Sequence, residues 1–145
     1  LISNIRSTKA ELKITPKLFC DVSFSEKPKK LHKLINNNIN LIKQVGRING
    51  VIKSKINDKN TIDILVLKEK ISLGFSEDVN LASQKERILQ KIESINKQIS
   101  NLNNKLKNKA YVTNAPKEIV QNDKNLVKEL TIEDGKLRSI VSSIN

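Results

Sequence analysis

A heptad repeat of branched apolar residues in the second half of the chain most constrains its fold. The first run alternates spacings of four and three residues: Ile88, Ile92, Ile95, Ile99, Leu102 and Leu106. A period of 3.5 is typical of a helix that packs lengthwise against another helix. A second run keeps the seven-residue repeat but is interrupted by Asp123 and Glu133: Ile119, Leu126, Leu130, Leu137, Ile140 and Ile144.

A proline separates the two seams. Pro116 cannot continue a helix but suits the first turn of one, so residues 111–116 are predicted to form a non-helical link, with Asn114 as the helix cap. Residues 77–145 are therefore predicted to form an antiparallel coiled-coil hairpin, whose arms of about 30 residues would each reach about 45 Å. A glycine inside a helix costs about 1 kcal/mol relative to alanine, so we expect the return arm to bend or fray at Gly135.

The first half of the chain combines strand patterns with two helical patterns. Residues 1–14 are predicted to form a helix that ends before Pro16. Residues 17–24, 61–67 and 71–75 have strand patterns, and 52–56 alternate weakly. The segment 29–48 has helical periodicity, with a predicted buried stripe at Leu31, Leu34, Ile35, Asn38, Leu41, Ile42, Val45 and Ile48. The prediction is an α+β fold, a small mixed sheet covered by one helix and followed by the hairpin.

The chain is strongly basic, with a formal net charge of +12 and a pI near 9.9. Such a balance favours polyanionic partners, nucleic acid first and an anionic membrane surface second. Codon bias is an alternative source of the positive charge. The sequence is rich in Lys, Ile and Asn, whose codons are rich in A and T. The placement of the charge is more informative. Residues 27–57 hold eight basic side chains and no acid, and residues 94–117 hold five lysines and no acid.

No group of residues has the spacing of a catalytic or metal site. The single histidine, His32, lies among lysines on the predicted helix and is interpreted as a solvated side chain. The single cysteine, Cys20, has no histidine or metal-ligand partner nearby and is predicted to be a core residue. We therefore predict no catalytic residue, no metal and no cofactor within these residues.

The ends and composition of the chain suggest a piece of a soluble, cytoplasmic protein. The sequence begins at Leu1 and contains no methionine, which indicates a fragment of a longer chain. It has no apolar run long enough to cross a membrane and no signal-peptide pattern. One cysteine is consistent with a reducing compartment.

Short motifs at both ends of the chain resemble valyl-tRNA synthetases. The link reads Tyr111-Val112, Ala115-Pro116 and Glu118-Ile119-Val120, where that family has Phe-Val, Ala-Pro and a Glu-Val-Val-like helix start. The entry to the first arm, 79–88, matches as well, with Asn80 where the family usually has Asp. Residues 5–16 resemble the last helix of the family's anticodon-binding bundle, with Lys9 where Arg is usual.

The resemblance implies three parts and a role in protein synthesis. Residues 1–16 would be the last helix of the anticodon-binding bundle, 17–76 a small α+β subdomain, and 77–145 the coiled-coil tRNA-binding arm. The arm would lie along the outer corner of a valine-accepting tRNA, and ATP would be used only by the parent ligase. The class I activation motifs, His-Ile-Gly-His-like and Lys-Met-Ser-Lys-Ser-like, are absent. Pairing of both arms within one chain predicts a monomer.

Lysines outside the predicted seams are the candidate tRNA-binding residues. The main set lies near the end of the hairpin: Lys97, Lys105, Lys107, Lys109 and Lys117. A second, weaker set is predicted at its base: Lys29, Lys30, Lys33, Lys43 and Arg47. Two alternatives stay open, a generic basic coiled-coil nucleic-acid-binding module and a structural or interaction hairpin whose basicity comes from codon bias.

Overall fold

The computed structural model describes residues 1–24, 30–52 and 60–145. Its elements are, in order, α1 (Ile2–Glu11), β1 (Cys20–Phe24), α2 (Leu31–Asn37), α3 (Ile39–Gly46), β2 (Ile48–Ile52), β3 (Thr61–Val66), β4 (Glu69–Gly74), α4 (Leu81–Lys107), α5 (Lys109–Asn114) and α6 (Lys117–Ser143). The predicted α+β class, with a small mixed sheet followed by long helices, is confirmed.

The sheet has four strands in the order β2-β1-β4-β3. Strands β1 and β2 run parallel, with Cys20 opposite Ile48, whereas β4 pairs antiparallel with both β1 and β3. Apolar side chains of both helices and strands are buried in this unit, and the residues that are at most 2% exposed include Ile5, Leu12, Val22, Ile35, Ile71 and Leu73. Burial of this apolar surface is the main stabilising contribution to the small unit.

The predicted single helix over 29–48 is wrong in two respects. It is two helices, α2 and α3, interrupted at Asn38, whose side chain donates to the Leu34 carbonyl at 2.9 Å. The interruption turns Leu34 and Leu41 outward, so both are more than half exposed, and Asn38 is exposed as well. Ile48 is buried as predicted, but in β2 rather than in a helix.

Strand boundaries also differ from the prediction. Strand β2 covers 48–52 instead of the predicted 52–56, and residues 53–56 fall outside the described ones. The turn between β3 and β4 is at Leu67 and Lys68, both at positive φ, so that Glu69 and Lys70 already belong to β4. A two-residue turn with both φ values positive matches the twist of the flanking strands, which explains why the strands extend further than the sequence suggested.

The chain divides into two compact units. The first comprises Leu1–Gln84 and Ser143–Asn145, and the second comprises Lys85–Ser142. Within the first unit, Ile144 bridges to Ile62 of β3, and the Asn145 amide donates to the Thr61 carbonyl at 2.9 Å. The finer division into 1–16, 17–76 and 77–145 stays a prediction.

The second unit is a pair of antiparallel helices. Lys91 of α4 pairs with Glu133 of α6 at 2.5 Å, and Lys105 pairs with Asp123 at 3.1 Å, so positions later in α4 meet positions earlier in α6. Each helix has 27 residues, or about 40 Å. Helix α6 is continuous through Gly135 to Ser143, so the expected fraying is absent, whereas the expected bend stays a prediction.

The predicted seam of α4 agrees with its burial, and that of α6 needs a correction. Ile88, Ile92 and Ile95 are buried, and the later seam residues of α4 are half-buried. In α6, Ile119 and Leu126 are 47% and 41% exposed. The inward positions are instead Val120, Asp123, Val127 and Leu130 in the first half of α6. Further along, the predicted Leu137, Ile140 and Ile144 are buried or half-buried, as are Glu133, Asp134 and Val141. Asp123, Leu130, Leu137 and Ile144 belong to both registers. The structure places Val120 and Val127 inward where the sequence predicted Ile119 and Leu126.

Candidate nucleic-acid interface

The end of the hairpin, residues 105–117, which we call the tip, contains a short helix instead of the predicted non-helical link. Helix α5 begins after Asn108, whose Oδ1 accepts hydrogen bonds from the amides of Ala110 at 3.0 Å and Tyr111 at 3.4 Å. Asparagine is a favourable N-cap because its side-chain oxygen satisfies amides that have no partner within the helix. Asn114 is thus the last residue of α5 and not a cap, and Pro116 directly precedes α6.

Three lysines of the tip are exposed and carry unneutralised charge. Lys107 ends α4, Lys109 begins α5 and Lys117 begins α6. All three side chains are exposed, and none of them forms a salt bridge with another described residue. The helix breaks at Asn108 and at 115–116 place four helix ends close together in sequence, and three of these ends carry the lysines. The tip thus concentrates positive charge without an opposing carboxylate on these lysines.

Lys105 differs from these lysines because its charge is already paired. Its Nζ lies 3.1 Å from Asp123 Oδ2 and 4.5 Å from the centroid of the Tyr111 ring. The Tyr111 hydroxyl donates to the same carboxylate oxygen at 2.7 Å. Asp123 lies on the apolar seam with a side chain only 15% exposed, so its charge needs these partners. Lys105 therefore has a structural role at the tip that sequence spacing did not reveal.

The two partners alter the titration of Asp123. The hydrogen bond from Tyr111, and then the one from Lys105, hold the pKa of the Asp123 carboxyl below its usual value. The carboxylate is consequently ionised at neutral pH, and it compensates the charge of Lys105.

Lys97 is exposed on α4 and is also paired. Its Nζ lies 2.9 Å from Glu93, one helical turn earlier, and both side chains are largely exposed. An exposed pair at this spacing contributes little to stability, so a phosphate could replace the glutamate at little cost. The acid-free run 94–117 begins directly after Glu93. The sequence pattern therefore suggested that Lys97 has no acidic partner.

The second predicted set is divided between two helices of the first unit. Lys30 and Lys33 are exposed at the start of α2, whereas Lys43 and Arg47 are exposed at the end of α3. Lys29 lies outside the described residues. The Arg47 guanidinium is 5.7 Å from the centroid of the Phe19 ring, a contact that the strand and helix patterns did not indicate.

The sequence analysis did not identify the buried cation Lys9 as a site residue. It is 1% exposed, and its Nζ donates to the Leu18 carbonyl at 2.6 Å and the Arg47 carbonyl at 3.4 Å. Desolvation lowers the pKa of Lys9, and burial raises the pKa of the neighbouring Cys20 thiol. Cys20 is a buried core residue, as predicted. The side chain of His32 lies outside the described part of the chain.

The described residues contain no group of three or more acidic, histidine or cysteine side chains that could hold a metal ion. In the same part of the chain, no helix is long and apolar enough to cross a membrane.

The helical arm of this chain is similar to a known protein family. Residues 80–145 match the family model described as "Valyl tRNA synthetase tRNA binding arm". The resemblance to the C-terminal region of valyl-tRNA synthetases is confirmed.

Relatives extend this similarity to the first unit. The valine–tRNA ligase of Pelagibacter ubique is 30% identical over 124 residues, which are 86% of this chain and 14% of that protein. The enzyme of Petrotoga mobilis is 25% identical over all of this chain and 17% of its own length. That of Prochlorococcus marinus is 30% identical over 83% of this chain. The chain thus spans about one sixth or less of these valyl-tRNA synthetases, and the similarity covers both units.

Proposed function

We propose that this chain is the C-terminal tRNA-binding part of a valine–tRNA ligase, and that its tip binds the phosphate backbone of tRNA. The single observation that carries the proposal is the arrangement at the tip. The three exposed, unpaired lysines lie on the arm that matches the tRNA-binding family model. A rigid pair of helices with lysines at its end suits contacts that position an RNA without reading its sequence.

The aromatic content supports backbone contact at this site. The tip has one aromatic residue, Tyr111, which is half-buried and hydrogen-bonded to Asp123. It is therefore not available to stack on a base, and the lysines are left as the groups that contact RNA. Such contacts follow the shape and charge of the nucleic acid.

Lys107, Lys109 and Lys117 form the proposed primary contact, with Lys97 and Lys105 in supporting roles. Lys97 would exchange Glu93 for a phosphate, and Lys105 would hold the tip in place through Asp123 and Tyr111. The set Lys30, Lys33, Lys43 and Arg47 is proposed as a second contact, and Lys29 is retained in it on sequence grounds.

Aminoacylation is proposed for the longer protein and not for these residues. The parent would use ATP to activate valine in the cytoplasm, and this chain would add tRNA affinity as a monomeric arm. Pure chain should accordingly show no valine-dependent ATP–pyrophosphate exchange, and detectable exchange would contradict the proposal.

The test is a salt titration of tRNA binding. Wild type is compared with a variant carrying Lys107→Glu, Lys109→Glu and Lys117→Glu, on a valine tRNA and on an unrelated tRNA. We expect weaker binding and a log–log salt slope that is shallower by roughly two to three, since each lost phosphate contact removes about 0.7–0.9. The loss should be similar for both tRNAs because backbone contacts carry no base information.

A matched control changes three exposed lysines elsewhere on α6, Lys124, Lys128 and Lys136, to Glu with the same change of net charge. Equal losses in the control and the tip variant would indicate a diffuse charge effect and contradict a tip site. An unchanged affinity in the tip variant would favour a purely structural hairpin.

A further inference from the structure

One aromatic ring of this chain is exposed, and it is paired with an arginine. The sequence has three phenylalanines and one tyrosine. Phe24 and Phe75 are buried, Tyr111 is hydrogen-bonded, and Phe19 is 43% exposed. Exposed aromatic rings serve as stacking platforms in proteins that bind single-stranded nucleic acid.

The sheet register places Phe19 next to Arg47. Strands β1 and β2 are parallel, with Cys20 opposite Ile48, so the two residues immediately before them lie side by side at the same end of the sheet. The Cys20 amide donates to the Arg47 carbonyl at 3.1 Å, which fixes this juxtaposition through the backbone. The guanidinium accordingly lies 5.7 Å from the ring centroid.

Arg47 occupies a backbone conformation that is unfavourable for its side chain. It follows the last residue of α3 at φ 50°, in the left-handed region. Glycine or asparagine is the usual residue there because other side chains are strained. Strained residues are often found where a side chain has a binding role, and in this case the strain presents a guanidinium beside an exposed ring.

The buried ammonium group of Lys9 stabilises the backbone next to Phe19 and at Arg47. Lys9 Nζ donates to the carbonyls of Leu18 and Arg47, the residue before Phe19 and the arginine itself. Both backbone segments that carry the pair are thus held by one ammonium group. The ring and the guanidinium are therefore preorganised by the core.

The surrounding charge favours an anionic ligand. Described residues 1–24 and 30–52 contain eight basic residues and two acidic ones, Glu11 and Asp21. Asp21 is half-buried two residues beyond Phe19, whereas Lys17 and Lys43 are exposed near the two members of the pair in sequence.

We propose that Phe19 and Arg47 bind an unpaired nucleotide of RNA, with the base stacked on the ring and guanidinium and the adjacent phosphate paired with Arg47. This site rests on the proposed tRNA-binding function and adds a stacking contact to the backbone contacts of the tip. It takes a nucleotide outside a duplex, because a base within paired stacks has no free face for Phe19.

The experiment compares RNA binding by the whole chain and its Phe19→Leu, Arg47→Lys and Arg47→Gln variants. The probes are valine tRNA, a short single-stranded RNA and a blunt duplex of equal length. We expect Phe19→Leu to weaken binding of tRNA and single strand roughly five-fold or more, with an unchanged salt slope and unchanged duplex binding. Arg47→Lys keeps the charge but lacks the planar group, so it should weaken single-strand binding at the same slope. Arg47→Gln should also flatten that slope by about 0.7.

Leu65→Ala is the matched control, since Leu65 is 69% exposed and apolar but lies on β3. It should bind all three RNAs like wild type. Binding of tRNA by wild type with no loss in Phe19→Leu would overturn this site and leave the proposed function intact. Equal losses on duplex and single strand would overturn it as well, because they would indicate a general change. Absence of tRNA binding by wild type would overturn both proposals.

Discussion

Lys105 Nζ of α4 and Asp123 Oδ2 of α6 lie 3.1 Å apart, so a lysine from an acid-free run is neutralised by an acid from the opposite arm. Asp123 occupies a seam position that would normally be apolar, and Tyr111 from the tip helix donates to the same oxygen. A polar group on a coiled-coil seam reduces stability but specifies register. The same contacts hold α5 against α6, so the network determines where the tip lysines are presented.

The first prediction concerns the Tyr111 hydroxyl. Tyr111→Phe removes only the donor at 2.7 Å from Asp123, and Phe is the residue that the resembled family has at this position. We expect a lower melting temperature, because a partly buried carboxylate loses a charge-assisted hydrogen bond. Lys105→Gln should also lower the melting temperature, whereas Lys109→Gln, at an exposed lysine, should not. Additive effects of Tyr111→Phe and Lys105→Gln in a double-mutant cycle would show that the three groups do not act as one network.

The second prediction tests the corrected register of α6. Val120 is 6% exposed, whereas its neighbour Ile119 is 47% exposed. Val120→Asp should therefore reduce the free energy of unfolding by about 3 kcal/mol or more, since it places a charge in the seam. Ile119→Asp makes the same chemical change one residue away and should cost less than about 1 kcal/mol. Chemical denaturation measures both, and a reversed order would restore the register predicted from sequence.

The third prediction is a pH dependence that belongs to Asp123. Because its pKa is lowered in the folded chain, Asp123 stabilises the fold fully above the ordinary aspartate pKa of about 3.9. That contribution is lost as the pH falls through the lower folded-state pKa. We expect wild type to melt above Asp123→Asn at pH 7 and the difference to close below about pH 4. A constant difference across this range would mean that the charge of Asp123 is not the stabilising feature.

The fourth prediction concerns the buried Lys9. Lys9→Met keeps the length of the side chain but leaves the carbonyls of Leu18 and Arg47 without its ammonium group. The Arg47 carbonyl keeps the Cys20 amide as a donor, whereas the Leu18 carbonyl loses its donor at 2.6 Å. An unsatisfied buried carbonyl costs about 1–3 kcal/mol, so the free energy of unfolding should fall by an amount of that order. Lys9→Arg restores a donor and should recover most of the loss. Equal stability of Lys9→Met and wild type would show that these hydrogen bonds make no net contribution.

Local patterns predicted much of the fold. The heptads of α4, the proline between the helices and the alternation of β1 and β3 specified a small α+β unit followed by a hairpin, because each depends on spacing along the chain. The motifs around Tyr111 and Pro116 also pointed to the correct family. Boundaries were less accurate, since capping by Asn108 and the turn at Leu67 and Lys68 depend on side-chain and backbone geometry that periodicity does not contain.

The candidate sites show the same division between local pattern and tertiary context. Sequence located the exposed lysines of the tip, because charge off the seam must face outward. It could not distinguish Lys105 from Lys109, since the acid that pairs with Lys105 lies on the other helix. It also gave no reason to associate Phe19 with Arg47, which are brought together only by the parallel register of β1 and β2.

The sequence by itself determined the two long helices, three of the four strands, the basic character of the chain and its resemblance to valyl-tRNA synthetases, because these follow from residues close together in the chain. Tertiary structure alone decided which face of α6 is buried, which lysines carry free charge and which aromatic ring is exposed. These outcomes depend on pairings between distant segments. In such pairings a one-residue difference, such as Val120 rather than Ile119 on the inward face, separates two registers that have nearly equal apolar patterns.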